Sequence, residues 1–517
     1  MSDALDRSFT VTEMAPLDEL IEVSPETTAA FVGRALRGPL NQPVHVESFG
    51  DFQRRFGDVW TRSSLGPAVR QFFEHGGRSL YVVRVANDAR GAMICLPASG
   101  SALVLRALEP GSTECLRAAV DYDRIDTEDE AHFNLTMQRI DAETGLVCDQ
   151  EIFRYVSYRA DDEDFVGDRL LASTLARVES PYPSHRPEPT TGLGSEAGAG
   201  YVGQVQHGFD GHELSDYDVV GSRKHETGLF ALQQVERLDL LYIPPPGKGR
   251  DLGPAPLLAA EIYCRERGAM LIVDPATGWV TPAKAVEGVR KLGMASPNAL
   301  AYFPRMYLRH EDHGAPRAVG GAIAGLLCRH DRAHGAWYAL DGAGPGLSRE
   351  FVPAFAATDE DLRGLNREGL NVLVEGQGGR SGLAGDVTLG RGAEGHRRFA
   401  KLSVRRLTLQ LVNAIAAGTR WAVFEPVDER LADRLASQVT AYLAGLAAQG
   451  AFEADRFAVN CDAGVSRRDD HPERGVTILV SFCPAGCSDP VSFTLHQAVA
   501  GCRVTSSVFA PVFDGTG

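Results

Sequence analysis

Cys328, His330 and His334 fall within seven residues, close enough for a thiolate and two imidazoles to share a metal ion. A fourth ligand would have to come from Cys264, Cys461 or a distant histidine. The pair Cys483 and Cys487 has no second pair at zinc-finger spacing, and His310 and His313 flank Glu311 and Asp312 on what reads as an exposed loop. The apolar run Met270–Val273 ends on Asp274, like the strand whose terminal carboxylate holds magnesium in a nucleotide hydrolase. That chemistry needs a GxxxxGK(S/T) loop to cradle phosphates, and the chain offers only Gly247-Lys248 without the upstream glycine or following hydroxyl. Asp274 before Pro275 is more simply a turn residue at a strand end. The run GQGGRSGLAG at 376–385 lacks the full order of a dinucleotide-binding loop and has no acidic ribose partner. No GxSxG elbow or other nucleophile signature occurs. No catalytic residue, metal site or cofactor is therefore expected, and the chain does not read as an enzyme.

One charged cluster stands out. His396, Arg397, Arg398, Lys401, Arg405 and Arg406 form a basic patch in a chain of 52 basic and 68 acidic residues, net −16. It is either a solvated helix face with local ion pairs or a contact for an acidic partner, salt-sensitive if exposed. The acidic balance argues against broad nucleic-acid binding. No run approaches the ~20 apolar residues of a membrane span, so direct membrane insertion is not expected. MSDALDRSFT has no basic start or apolar core of a signal peptide, so assembly in the cytoplasm is expected. Nine cysteines in an odd, scattered set read as reduced, mostly buried thiols.

At 517 residues the chain exceeds one hydrophobic core and divides into several domains. Residues 1–25 form an acidic arm in which Phe9, Val11, Ile21 and Val23 can pair as strand. In 26–87, FVGRALRGPLNQPVHVESFGDFQRRFGDVWTRSSLGPAVRQFFEHGGRSLYVVRV reads as strand, strand, helix, helix, strand. Ser48 is the N-cap of a helix carrying Phe49, Phe52 and Phe56, and Gly57 ends it. A second helix spans about Leu65 to Glu74. Residues 88–229 read as a β-rich insertion of short alternating runs closed by a flexible loop, SPYPSHRPEPTTGLGSEAGAGYVG. From 230 to 395 the rhythm is β-α-β-α-β, which implies parallel strands with both faces covered. Residues 396–502 read as a compact α/β domain running helix, strand, helix and then strands. Its second helix is opened by Pro426 and Asp428 and ended by Gly450. Residues 503–517, with Val504, Val508 and Phe509, form a second arm.

The Phe31–Val85 block resembles the amino-terminal core of tail sheath proteins, the contractile jackets of phage tails and phage-derived injection machines. The likeness continues in order through LDLLYIP, YCRERGAMLIVDP, ASPNALAYFPR, GGAIAGLLCRHDRAHGAWYAL, LNREGLNVL, and RRL followed by WAVFEP. It covers about two thirds of the chain; CPAGCSDPVSFTLHQ departs from the pattern. The resemblance implies an α/β multidomain fold and a subunit that polymerises with itself into stacked hexameric rings. It implies an inner tube protein, a baseplate and a tail-terminator or cap as partners, and terminal arms lent to neighbours by strand addition. In that setting Arg397, Arg398, Lys401, Arg405 and Arg406 would face the tube or a neighbouring arm. Residues 88–229 would be the outward decoration. The particle would be a virion tail or an injection machine, and a specialised sheath paralogue at the baseplate or cap end fits the same pattern.

Overall fold

The computed structural model describes residues 20–21, 26–142, 144–190, 200–247, 249–310, 314–340, 346–376, 381–391, 398–426, 428–461, 475–498 and 501–505. Phe9, Val11, Val23, His396, Arg397, Val508 and Phe509, with Lys248, Glu311, Asp312 and His313, lie outside the described residues.

The amino-terminal block builds β1 (Ala29–Gly33), β2 (Pro43–Val46), α1 (Phe49–Phe56), α2 (Leu65–Glu74) and β3 (Leu80–Arg84). Ser48 Oγ accepts from the Asp51 N–H at 3.1 Å, satisfying one of the free donors at the start of α1. The chain then leaves for β4 (Gly91–Ala98), β5 (Ser101–Pro110), β6 (Leu116–Asp121), β7 (His132–Ile140), β8 (Val147–Ser157) and β9 (Ala176–Glu179), with short helices α3 (Val166–Arg169) and α4 (Asp216–Val220). It returns as β10 (Leu240–Tyr242), α5 (Pro254–Arg267), β11 (Met270–Val273), α6 (Pro282–Leu292), β12 (Ala299–Phe303) and β13 (Met306–Leu308). There follow α7 (Gly320–His334), β14 (Phe351–Pro353), α8 (Asp359–Arg367), β15 (Asn371–Glu375) and β16 (Ser381–Ala384).

Eight of these strands form one mixed sheet in the order β16-β15-β12-β11-β10-β1-β3-β2. Its centre is parallel, and only the outermost strands β2 and β16 run against their neighbours. Ala30 lies between Tyr81 of β3 and Leu241 of β10, so strands from before and after the insertion sit side by side. Both faces are covered, as short, wholly apolar strands require. Ala29 and Phe31 point into a core shared with Phe52, Phe72 and Leu326, whereas Ala30 and Val32 point into one shared with Tyr263, Val289 and Leu365.

Helix α7 lies directly on α2. A Cβ on Gly321 would overlap the Ala68 carbonyl, and one on Gly325 would overlap the Phe72 carbonyl. These two glycines, four apart on one helix face, therefore set the distance between the helices.

Strands β4–β9 enclose a separate core of Ile94, Leu105, Val120, Phe133, Leu135 and Met137. The stretch expected to be a flexible loop is, in its described part, laced onto that core. Glu188 N–H donates to Pro97 O (2.7 Å), Thr190 N–H to Val120 O (2.9 Å), and Val202 pairs with Ala118. Arg84 ties this unit to the sheet. Its fully buried guanidinium donates to Ala35 O, Leu36 O, Gly38 O and Pro110 O at 2.6–3.2 Å. Burial lowers its pKa to about 10, which leaves it charged at neutral pH.

The carboxy-terminal unit packs α9 (Leu402–Gly418) and α10 (Glu429–Ala447) against an antiparallel sheet of β17 (Phe452–Asn460), β18 (Gly475–Pro484), β19 (Val491–Ala498) and β20 (Gly501–Thr505). The strand expected at WAVFEP is instead a 3-10 turn, Arg420–Phe424. Its amides bond three residues back, Ala422 to Thr419 and Glu425 to Ala422, as a short 3-10 turn does in a connection between two helices. Asp428 caps α10 as expected, its Oδ1 accepting from Leu431 N–H at 2.8 Å. Val504, placed by sequence in the second arm, pairs with Leu495 of its own β19.

Gly325→Ala gives a clear test of the α2–α7 contact. Helix propensity alone would stabilise the variant by about 1 kcal/mol. Overpacking against Phe72 should win and destabilise it by about 1–3 kcal/mol in denaturant titration. A variant more stable than the parent would refute the close-packing account.

Candidate functional site

Residues near the amino terminus, in the central layer and in the carboxy-terminal unit converge at Asp331. Ile21 lies on Gly418 at the end of α9 and packs into the carboxy-terminal core. The backbone then reaches Thr27 and Thr28, each gripped by a carboxylate. Thr27 Oγ1 donates to Asp331 Oδ2 (2.6 Å), and the Thr28 N–H donates to Asp239 Oδ2 (2.8 Å). Asp331 is in the last turn of α7; Asp239 immediately precedes β10. The same Asp331 Oδ2 accepts from Arg406 of α9, and both side chains are almost wholly buried. Arg237 Nε donates to Asp239 at 3.0 Å. Burial nonetheless raises the Asp239 pKa, with Arg237 and the Thr28 amide opposing the shift. One carboxylate thus ties together the arm root, α7 of the central layer and α9 of the carboxy-terminal unit.

This overturns part of the expected basic patch. Arg406 is a buried structural cation, and Arg405 turns inward, stacking on Phe399 (4.6 Å) and donating to Asn298 Oδ1 at 2.7 Å. Burial lowers the Arg405 pKa to about 10. The helix face that looked basic is an interior face, because α9 is covered on both sides. Arg398 and Lys401 are exposed, with Lys401 Nζ 3.4 Å from Gly486 O.

The metal candidates do not assemble. Cys328 is buried and its thiol points at Thr27 O (3.6 Å), while His330 Nε2 donates to Tyr338 O (3.2 Å). Cys264 lies in the core on the opposite face of the sheet, and Cys461 in the carboxy-terminal core. Cys483 Sγ is directed at the Cys487 carbonyl at 3.2 Å. His310 is exposed. Among the described residues, the one constellation with metal-ligating geometry is His132, Asp162 and Asp164 in the insertion, which sequence spacing did not suggest.

Asp274 has a role beyond turning the chain. Its carboxylate accepts from the Tyr242 hydroxyl (2.5 Å) and from the Gly320 N–H (3.1 Å), so it sits at the amino terminus of α7. A helix start is where a negative charge is best placed. Burial raises its pKa to about 6 despite both hydrogen bonds. Sequence reasoning missed Thr27, Asp239 and Arg84. Their only signal was a polar residue abutting a wholly apolar strand.

No protein-family model matches the sequence, and no curated protein matches it closely enough to count as a relative. Solved structures do. The sheath tail protein of Listeria innocua superposes with a TM-score of 0.62 at 13% identity, over 92% of this chain and 96% of its own. The chain has a contractile-sheath fold. The sheath complex of the extracellular contractile injection system PVC, in its contracted state, gives a TM-score of 0.53 at 13% identity, over 94% and 95% of the two chains. The contracted baseplate structure of the anti-feeding prophage gives 0.52 at 14%, over 99% and 97%. These neighbours are structural components of contractile particles, and the match covers more than nine tenths of each chain.

Two predictions follow from the buried carboxylates. Arg406→Met should leave Asp331 unpaired and destabilise the chain by about 3–5 kcal/mol in urea, while Asp331→Leu in the same molecule should recover most of the loss. Equal destabilisation by the single and double changes would sink the pairing account. For Asp274, the unfolded carboxyl loses its proton near pH 3.8 and the folded one near 6. Between those values the folded state holds the extra proton, so this group's contribution to stability falls as pH rises from 4 to 6. The difference is on the order of 3 kcal/mol. Asp274→Asn should therefore gain stability relative to the parent between pH 4 and 7. A constant gap between the two would show that Asp274 does not titrate in that window.

Proposed function

We propose that the protein is the structural subunit of a contractile sheath. It would polymerise into stacked hexameric rings around an inner tube and contract to drive that tube through a target envelope. The observation that carries this reading is the end-to-end likeness to sheath structures. Extended and contracted lattices would be two packings of one folded subunit, and a difference of a few kcal/mol per subunit, summed over many copies, supplies the work.

The proposed domain division is the one the sequence suggests, although Leu214, Val219 and Leu229 of the insertion and Leu402 and Leu409 of α9 pack into the central cores. Residues 26–87 and 230–395 build the central layer, 88–229 the surface insertion and 396–502 the carboxy-terminal unit, with 1–25 and 503–517 as arms. The arms would add strands to neighbouring copies, with Phe9, Val11, Ile21, Val23, Val504, Val508 and Phe509 as their apolar contacts. Strand β20 supports this, since it is an exposed edge with pairing on one side only among the described residues. The anchoring of Thr27 and Thr28 means that tension on the first arm would be borne by Asp331 and Asp239 and passed to α7 and α9. Arg397, Arg398 and Lys401 remain candidates for contact with an acidic tube or neighbouring arm.

The likeness to a baseplate structure favours one alternative, a specialised sheath paralogue at the end of the same particle. The subunit would assemble in the producing cell and end up in a virion tail or injection particle. Among the described residues, no helix is long and apolar enough to cross a membrane.

Negative-stain microscopy of the purified chain across concentration and salt separates these readings. Striated hollow tubes are expected for a main sheath; short rings that never stack indicate the paralogue. Deleting residues 1–20 should abolish ordered polymers while leaving a folded monomer, and tubes formed as usual would remove the arm from the mechanism. Arg398→Glu with Lys401→Glu should shift the salt range of polymerisation. An unchanged salt profile would mean that this surface stays in solvent.

A further inference from the structure

At the start of β7, in the insertion, His132 is held among three carboxylates. Its Nδ1 lies 2.9 Å from Asp129 Oδ2 and 3.1 Å from Asp129 Oδ1. An ionised carboxylate can only accept, so the proton of this contact is on Nδ1. The same carboxylate accepts from the Ala131 and His132 N–H groups (2.9 and 3.1 Å) and from the Tyr155 hydroxyl (3.1 Å). The Tyr155 ring lies flat on the imidazole, with 4.0 Å between centroids and 6° between planes. The imidazole is thus fixed in tautomer and orientation, and its Nε2 faces the connection between β8 and α3.

There it meets Asp162 and Asp164. Nε2 is 3.4 Å from Asp162 Oδ2, and an oxygen of Asp164 completes a triangle in which no side exceeds 4.8 Å. The turn carrying both carboxylates is itself pinned. Asp164 N–H donates to Asp162 Oδ1 (3.0 Å), Ser157 N–H to Asp164 O (2.8 Å) and Phe165 N–H to Asp162 O (3.1 Å). Arg169 Nη1 donates to Asp164 Oδ1 (2.8 Å), but a carboxylate accepts at about four sites and this pair does not exhaust it.

Three electron-pair donors facing one point need a cation between them. A proton on Nε2 would bridge only two of them, and a charge-assisted N–H···O bond closes to about 2.7–2.9 Å. A metal ion gathers all three. Ligands about 2.1 Å from one zinc ion stand about 3.4 Å apart in a tetrahedron. Nε2 and Asp162 Oδ2 already have that separation. The carboxylate behind the imidazole is the usual outer partner of a metal-bound histidine. One imidazole with two carboxylates suits a divalent ion of the zinc class better than magnesium or calcium, which favour oxygen ligands. The side chains of His132, Asp162 and Asp164 are 13%, 24% and 33% exposed, so an ion can reach them from solvent.

We propose that His132, Asp162 and Asp164 bind one divalent ion of the zinc class, with Asp129 as the positioning residue for His132. The ion clasps the β8–α3 connection to the start of β7 and locks these two segments of the insertion together. The site goes beyond the sheath reading and does not depend on polymerisation.

Zinc chloride titrated calorimetrically into the EDTA-stripped full-length chain at about pH 7.5, where histidine is neutral, tests the proposal. One ion per chain should bind with a Kd of about 1 µM or tighter and raise the melting temperature. Asp162→Asn combined with Asp164→Asn keeps the shape of the turn and removes both anionic ligands. It should melt like the parent in EDTA, bind zinc at least about a hundredfold more weakly, and gain no melting temperature from the ion. Binding weaker than about 100 µM in the parent would make His132 an ion-pair partner of its neighbours and nothing more. Undiminished binding by the double variant would place the ion on other side chains. Either result overturns the proposal and leaves the sheath reading untouched.

Discussion

The arrangement of the molecule depends on a buried ion pair, Arg406 with Asp331, in which one carboxylate oxygen also holds Thr27. Removing two charges from water costs several kcal/mol per ion, and an apolar contact of the same size would often be as stable. What the pair supplies is geometry. A charged pair in a dry junction tolerates few arrangements, because any that parts the two charges strands at least one of them. The central sheet, the helix α9 and the arm root are therefore held in one relative position rather than in a family of similar ones.

The insertion is attached by the same kind of interaction. Arg84 reaches out of β3 and donates to carbonyls on both the β1–β2 connection and the end of β5. Four carbonyl oxygens accept from its guanidinium, and the carboxylates of Glu109, Asp210 and Glu114 lie near enough to favour its charge. Each unit has a hydrophobic core, some apolar side chains such as Leu402 and Leu409 of α9 cross into the central one, and buried arginines add directional contacts between units. Apolar cores give bulk stability but little orientation, whereas a planar guanidinium with several fixed acceptors specifies both distance and angle.

Much of the fold was legible in the sequence because the strands are short, apolar and punctuated. Ala299–Phe303 and Met270–Val273 read directly as buried strands, and Ser48, Gly57 and Asp428 marked helix ends through their capping chemistry. Reading failed where local pattern and tertiary setting diverge. WAVFEP has the composition of a strand but sits in the connection between α9 and α10, where it winds into a 3-10 turn. Arg405 and Arg406 look like a solvent face because sequence does not reveal that α9 is covered on both sides. The site was less legible still. Asp331, 304 residues from Thr27 and 75 from Arg406, becomes a node only through tertiary folding, and no periodicity encodes a contact of that separation.

The placement of the arm root gives the joint a mechanical sense. Thr27 and Thr28 are adjacent in sequence but held by carboxylates from different elements, α7 and the residue before β10. A pull along the arm therefore loads two separate helix and strand ends at once, and neither can yield without exposing or unpairing a buried carboxylate. Because Asp331 Oδ2 is shared between Thr27 and Arg406, displacement of the threonine changes the acceptor seen by the arginine. A displacement of Thr27 would therefore be felt first by Arg406 of the carboxy-terminal unit. Such sharing of one acceptor is how a packed, poorly deformable interior can relay a displacement between parts of the chain that are far apart in sequence.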